Sequence, residues 1–197
     1  MAVTRSARAV FLDKDGTLIA DVPYNVDPAR IRFMPRAIEG LRLIADLGYR
    51  LFVVSNQPGI ALGRCAEAAL AEVERHIRTA LHAYGMALAG FYYCPHLPHG
   101  SVARYAIRCT CRKPASGMLE RAAREHGIDL TRSWMVGDIL DDVEAGRRAR
   151  CRTILIDNGN ETEWDLSGER RPEAIADDLL GAARIILASG AGSRAAA

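Results

Sequence analysis

Short apolar runs that stop abruptly at a polar residue alternate along this chain with longer stretches whose apolar positions recur every three to four residues. Continuous apolar runs suit strands buried on both faces, and the intervening periodicity suits the helices that cover them, so the pattern predicts a parallel sheet with helices on both sides. AVFL (9–12) reads as a first strand ending at Asp13, RLFVV (50–54) as a second ending at Ser55, and FYY (91–93) as a brief third. WMV (134–136) and TILI (153–156) read as two more. Helices are expected over 35–47 (Pro35 at the start, Gly48 at the stop), 66–84 (Leu70, Val73, Ile77, Leu81 and Tyr84 on one face), 116–126 and 141–149. Residues 158–171 read as a polar loop, and Pro172 is expected to open a last helix running to Leu187. The expected fold is α/β, doubly wound and mostly parallel, as a single domain over 1–188. The small, polar stretch 189–197 is expected to be a disordered tail.

Composition narrows the partners more than the fold. With 26 Lys+Arg against 24 Asp+Glu in 197 residues, the net charge is +2, which argues against an electrostatic nucleic-acid or membrane binder. No apolar run reaches the roughly 18 residues of a membrane span, and the basic, interrupted start is unlike a signal peptide. These features lead to the expectation of a cytoplasmic monomer acting on a small molecule, with its five cysteines reduced.

Ligands in open α/β sheets bind beyond the carboxyl ends of the strands. FLDKDGTL places Asp13 and Asp15 two apart just after the first strand, with Gly16 allowing a sharp turn. VVSNQPG exposes Ser55, CRKPASG offers Arg112 and Lys113, and VGDILDD offers Asp138, Asp141 and Asp142. Taken singly, each of these is an ordinary turn, cap or surface charge; what matters is that each closes an apolar strand or follows the next loop. Carboxylates converging at one sheet edge repel unless a cation lies between them, and an oxygen-only donor set suits Mg²⁺. A lysine and a hydroxyl opposite would bind phosphoryl oxygens, so the set describes phosphoryl transfer.

Three cysteines fall within 94–111: Cys94-Pro-His96, then Cys109-Thr-Cys111. Three thiolates and an imidazole make a closed, structural Zn²⁺ set, with His99 competing with His96 for the fourth place. Buried core thiols are the plain alternative, but the intervening loop is rich in Pro, Gly and His, where no core strand or helix is expected. Metal binding would then supply the loop's shape and fix Arg112 and Lys113, which follow Cys111 directly.

The four segments resemble the motifs of the haloacid-dehalogenase-like phosphohydrolases, over nearly the whole chain. The D-x-D-x-[TV] pattern falls on Asp13, Asp15 and Thr17, the Ser/Thr motif on Ser55, the lysine motif on Lys113, and the last acidic motif on Asp138 with Asp142 nearby. The resemblance implies a nucleophile at Asp13, a general acid and base at Asp15, and Mg²⁺ held by Asp13, the Asp15 carbonyl and Asp138. FYYCPHLPHGSV and CTCRKPASGML narrow it to the zinc-loop branch that contains heptose bisphosphate and histidinol-phosphate phosphatases, which have no large cap. That branch implies removal of the 7-phosphate of a heptose 1,7-bisphosphate, on the way to nucleotide-activated heptose. It also implies substrate contacts from Asp21, Val22, Pro23, Tyr24, Ser55, Asn56, Gln57 and Arg112. Histidinol phosphate is the competing substrate, and a zinc-loop binding module on an inactive scaffold the competing class. Two departures stand out: Ile139 follows Asp138 where the heptose enzymes commonly carry a lysine, and 157–171 (DNGNETEWDLSGERR) is longer and more acidic than that branch leads one to expect.

Overall fold

The computed structural model describes residues 6–192. Six parallel strands form one sheet in the order β3-β2-β1-β4-β5-β6. They are β1 (Ala9–Leu12), β2 (Arg50–Asn56), β3 (Leu88–Cys94), β4 (Trp134–Gly137), β5 (Arg152–Ile156) and β6 (Ala174–Ala176). The helices are α1 (Ala37–Asp46), α2 (Pro58–Ala61), α3 (Leu70–Ala83), α4 (Gly117–His126), α5 (Leu140–Arg148) and α6 (Leu179–Gly192). This is the doubly wound order, with β1 paired to β2 on one side and β4 on the other.

Burial explains why the strand sequences are apolar without alternation. Val10 and Leu12 of β1 join Leu51, Val53, Val136 and Ile154 under α1, α3 and α6, where Leu41, Ile77 and Ile186 complete the core. Ala9 and Phe11 point the other way, with Phe52, Val54 and Met135, against Met118, Leu119 and Ala122 of α4. The α1–α6 contact is close because Gly40 has no side chain; a Cβ there would run into the Leu179 backbone. Among the described residues no cap domain stands over the sheet edge: the helical structure between β1 and α1, and between β3 and α4, is a single 3-10 turn each, at 28–30 and 103–105, with isolated bridges Asp15–Ile19 and Ile19–Phe33 in the first segment.

Several expected boundaries move. Helix α1 starts at Ala37 because Arg36 is left-handed (φ 60°), and its guanidinium reaches Asp178 at 2.9 Å. The helix expected from 66 begins as a separate 3-10 turn, with α3 proper from Leu70, and Tyr84 lies beyond its end, 48% exposed. Pro172 does not open a helix. Residues 174–176 add a short edge strand to β5, and α6 starts at Leu179, where Asp178 Oδ1 accepts from Gly181 N at 2.7 Å. Residues 189–192, expected in the disordered tail, continue α6, with Ser189 Oγ donating to the Ile186 carbonyl at 2.7 Å. Residues 193–197 of that tail lie outside the described residues.

Candidate active site

Parallel strands all deliver their carboxyl ends to one rim, and β1, β2 and β4 each place a polar residue there as the apolar run stops. Asp13 follows β1 and Asp138 follows β4, while Ser55 closes the apolar part of β2. Lys113 arrives from the loop after β3. Its side chain is 2% exposed, and its ammonium donates to Asp13 and to the Val54 carbonyl (3.0 Å) and lies 2.6 Å from Asp142 Oδ1. Burial alone would strip that charge; Asp13 and Asp142 more than reverse this and hold Lys113 above the ordinary lysine range. Burial likewise pushes the Asp142 carboxyl up, against the pull of Lys113.

Carboxylate oxygens of Asp13, Asp138 and Asp142 lie within 4.8 Å of one another. Asp142 is fully buried against Lys113, whereas Asp13 and Asp138 keep a small exposure, 8% and 3%. Asp138 is pushed up to about 6, first by burial and then by the Asp13 charge. Two hard oxygen donors that resist being charged together fit a small dication such as Mg²⁺. Gly16 is required for this approach: its φ is +83°, and a Cβ there would overlap Asp138 Oδ2.

Asp15 points away from this cluster. Its carboxylate accepts from Lys14 Nζ at 2.6 Å and from Gln57 Nε2 at 3.0 Å, and burial raises it above the ordinary carboxyl range. Gln57 Nε2 also donates to Ser55 Oγ at 2.8 Å, which leaves the serine hydroxyl proton free for another acceptor. Two neighbouring carboxyls in such different surroundings can take different protonation states.

The loop after β3 forms a second cluster. Cys94, Cys109 and Cys111 sulfurs lie 3.2–3.5 Å apart, and His96 Nδ1 lies 3.4 Å from Cys111 Sγ and 3.6 Å from Cys94 Sγ. A tetrahedral ion with about 2.3 Å metal–sulfur bonds separates its sulfurs by about 3.8 Å, so the cage has the size and the soft donors for Zn²⁺. His96, rather than the exposed His99, completes the set. Arg112, between Cys111 of the cage and Lys113 of the rim, donates its guanidinium to the His96 carbonyl at 3.4 Å. Cys65 and Cys151 stand apart as free thiols.

Of the expected substrate contacts, Asp21, Pro23 and Tyr24 are exposed and Val22 is half-buried, in the loop after β1. Tyr24 is left-handed (φ 55°) and its ring covers Gly59 at the start of α2. Asn56 is engaged elsewhere: its amide exchanges two 3.0 Å hydrogen bonds with the Lys113 backbone, so it sets the position of the lysine. Sequence reasoning missed the buried Lys14 and two asparagines of the loop after β5. Asn158 Nδ2 donates to the Gly16 carbonyl, and Asn160 Nδ2 to Asp138 Oδ2, both at 2.7 Å. The N-G-N spacing signals a turn, but no local pattern says that the turn reaches β1 and β4.

Comparison with known proteins places this geometry. The HAD-hydrolase-like family model matches residues 110–182. The D-glycero-beta-D-manno-heptose-1,7-bisphosphate 7-phosphatase of Yersinia pestis is 38% identical over 158 residues, which cover 80% of this chain and 84% of that protein. The enzyme of the same name from Escherichia coli K12 is 36% identical over 174 residues, covering 84% and 91%. Among solved structures, the D,D-heptose 1,7-bisphosphate phosphatase of B. bronchiseptica complexed with magnesium and phosphate superposes with a TM-score of 0.74 at 26% identity, covering 92% of this chain and 99% of that one. A HAD-like phosphatase structure from Mesorhizobium loti gives 0.78 at 33% identity, covering 91% and 87%.

Proposed function

The chain belongs to the haloacid-dehalogenase-like hydrolases, in their heptose bisphosphate phosphatase group, and from that premise we propose that it removes the 7-phosphate of D-glycero-D-manno-heptose 1,7-bisphosphate. It is a phosphoric monoester hydrolase. The observation that carries the substrate reading is the zinc-type cage beside the lysine loop of a capless site, in a chain 36–38% identical to two enzymes of that name.

In this reading Asp13 attacks phosphorus, forming an aspartyl-phosphate as the bond between phosphorus and the C7 oxygen breaks. Asp15 gives its proton to the departing alkoxide and then takes one from the water that opens the acyl phosphate. Burial raises Asp15 and so favours the protonated form the first step needs. The Ser55 hydroxyl and the Lys113 ammonium bind phosphoryl oxygens, and Lys113 also offsets the crowding of Asp13 and Asp142. Asp13, the Asp15 carbonyl and Asp138 would hold Mg²⁺, which when bound screens the nucleophile from the phosphoryl oxygens. Cys94, His96, Cys109 and Cys111 would hold Zn²⁺ as a structural ion. Asp21, Val22, Pro23, Tyr24 and Gln57 border the sugar, and Arg112 offers a planar cation to the second phosphate. A reducing cytoplasm keeps the three thiols available.

The test is kcat/KM for the α- and β-heptose bisphosphates and for histidinol phosphate, with Mg²⁺ present and zinc content measured. One heptose anomer is expected to lead histidinol phosphate by about tenfold or more, and Asp13→Asn to show no turnover. Equally poor rates on all three esters would refute the substrate; activity in purified Asp13→Asn would refute the nucleophile.

A further inference from the structure

The Asp138 carboxylate is gripped at both oxygens by different parts of the chain. Thr17 Oγ1 donates to Oδ1 at 2.8 Å, and Asn160 Nδ2 donates to Oδ2 at 2.7 Å. Asn160 belongs to the 157–171 segment, which is strapped along α5 from its first residue, Leu140, to Arg147. Glu161 Oε2 accepts from Leu140 N at 2.6 Å, Arg147 pairs with Glu169 at 3.1 Å, and Arg170 lies 3.5 Å from Asp141 and 3.6 Å from Glu144. Two residues before Asn160, Asn158 holds the Gly16 carbonyl, so the strap also touches the turn that lets Asp138 approach. The residue after Asp138 is Ile139, which brings no polar group to this wall.

We propose that Asn160 is a positioning residue of the cation site, fixing the Asp138 carboxylate in the orientation that faces Asp13. Asp13 repels Asp138 across the site, and a carboxylate held only at Oδ1 swings away from that repulsion. Binding a dication to a displaced carboxylate then includes the cost of turning it back. An amide suits the task because it is neutral: it orients the carboxylate without cancelling the charge that attracts the cation, as an ammonium in its place would. The long, acidic segment after β5 thereby acquires a role in metal affinity. The inference rests on the reading that Asp13 and Asp138 hold Mg²⁺.

Calorimetric titration of Mg²⁺ into the substrate-free full-length protein tests it, comparing wild type with Asn160→Ala and Glu161→Gln. Asn160→Ala is expected to weaken Mg²⁺ binding by about tenfold or more, the usual effect of removing a hydrogen-bond partner of a metal ligand. Its Tm in EDTA should equal that of wild type, and its kcat at saturating Mg²⁺ should be nearly retained, with the loss appearing as a higher Mg²⁺ requirement. Glu161→Gln, which loosens the strap without touching Asp138, should bind Mg²⁺ as wild type does. An unchanged Mg²⁺ Kd in Asn160→Ala overturns the proposal. So does an equal weakening in both variants accompanied by a lower Tm in EDTA, which would make the strap merely structural. A wild-type protein that binds Mg²⁺ but hydrolyses no phosphate ester would defeat the functional reading and leave this comparison intact.

Discussion

Replacing Lys113 with methionine keeps the buried aliphatic stem and removes the ammonium among Asp13, Asp142 and the Val54 carbonyl. At 2.6 Å and an effective dielectric of about 20, one such pair attracts by about 6 kcal/mol before desolvation is counted. Deleting one partner of a buried pair costs about 3–5 kcal/mol in practice, because the other is left uncompensated. The protein has one relief: Asp142, already raised by burial, loses the opposing pull of Lys113 and climbs further. A carboxyl with a higher folded than unfolded pKa makes the folded state bind more protons, so stability falls as pH rises. Asp142 is pushed up to about 8 in wild type, so the deficit of Lys113→Met should be about 3–5 kcal/mol at pH 9.5, shrink by at most about 1.4 kcal/mol per pH unit toward pH 8, and be level below it. Urea unfolding in EDTA at pH 7, 8 and 9.5 measures it, with linear extrapolation at matched m-values. Mg²⁺ should restore part of the loss by placing positive charge between Asp13 and Asp138. A deficit under about 1 kcal/mol at pH 9.5, or one that is the same at pH 9.5 and pH 7, would refute the view that Lys113 compensates this cluster.

Gly16→Ala puts a methyl group against Asp138 Oδ2 at a left-handed φ, and turnover should fall about a hundredfold or more, since ångström-scale misplacement has that effect; activity near wild type would contradict the close approach. Cys109→Ser should lose zinc by elemental analysis and lose activity while its Mg²⁺ affinity stays unchanged. Full activity in zinc-free protein would break the link from cage to Lys113. Because Asp138 is raised to about 6 in the metal-free protein, Mg²⁺ must displace a proton below that pH. Its measured Kd should weaken as pH drops, by about tenfold per unit, and a constant Kd from pH 7.5 to 5 would rule this out.

The elements legible in the sequence are those with a signal of their own length. Ala9–Leu12 and Trp134–Val136 read as strands because each is fully buried and ends at a polar rim residue. The α3 stripe reads correctly through Leu81, but Tyr84 continues the period past the last turn, since periodicity does not mark where hydrogen bonding stops. Strand β6 has three residues, too few for any pattern, and Pro172 is an equally good loop residue. The placement of Asp13 beside Asp138 follows from strand order, since β1 pairs with β4. The grip of Asn160 on Asp138 spans 22 positions, that of Asn158 on Gly16 spans 142, and that of Asn56 on Lys113 spans 57; these pairings exist only once the sheet is assembled.

That assembly divides labour between the two ends of the sheet. One end of the central strands is held by packing and structural hydrogen bonds, with Ala9 N donating to Ser133 Oγ at 2.9 Å and Trp134 covered by the Arg152 guanidinium at 3.9 Å; the other gathers mutually repelling acids around a buried base. Cohesion is thus concentrated away from the chemistry, and the rim is held in tension by a framework that does not take part in it. Loops such as 21–24, which hold no cation ligand in place, can be exchanged at the rim without disturbing what keeps the framework together, so a fold of this kind can trade one phosphate ester for another while its interior stays the same.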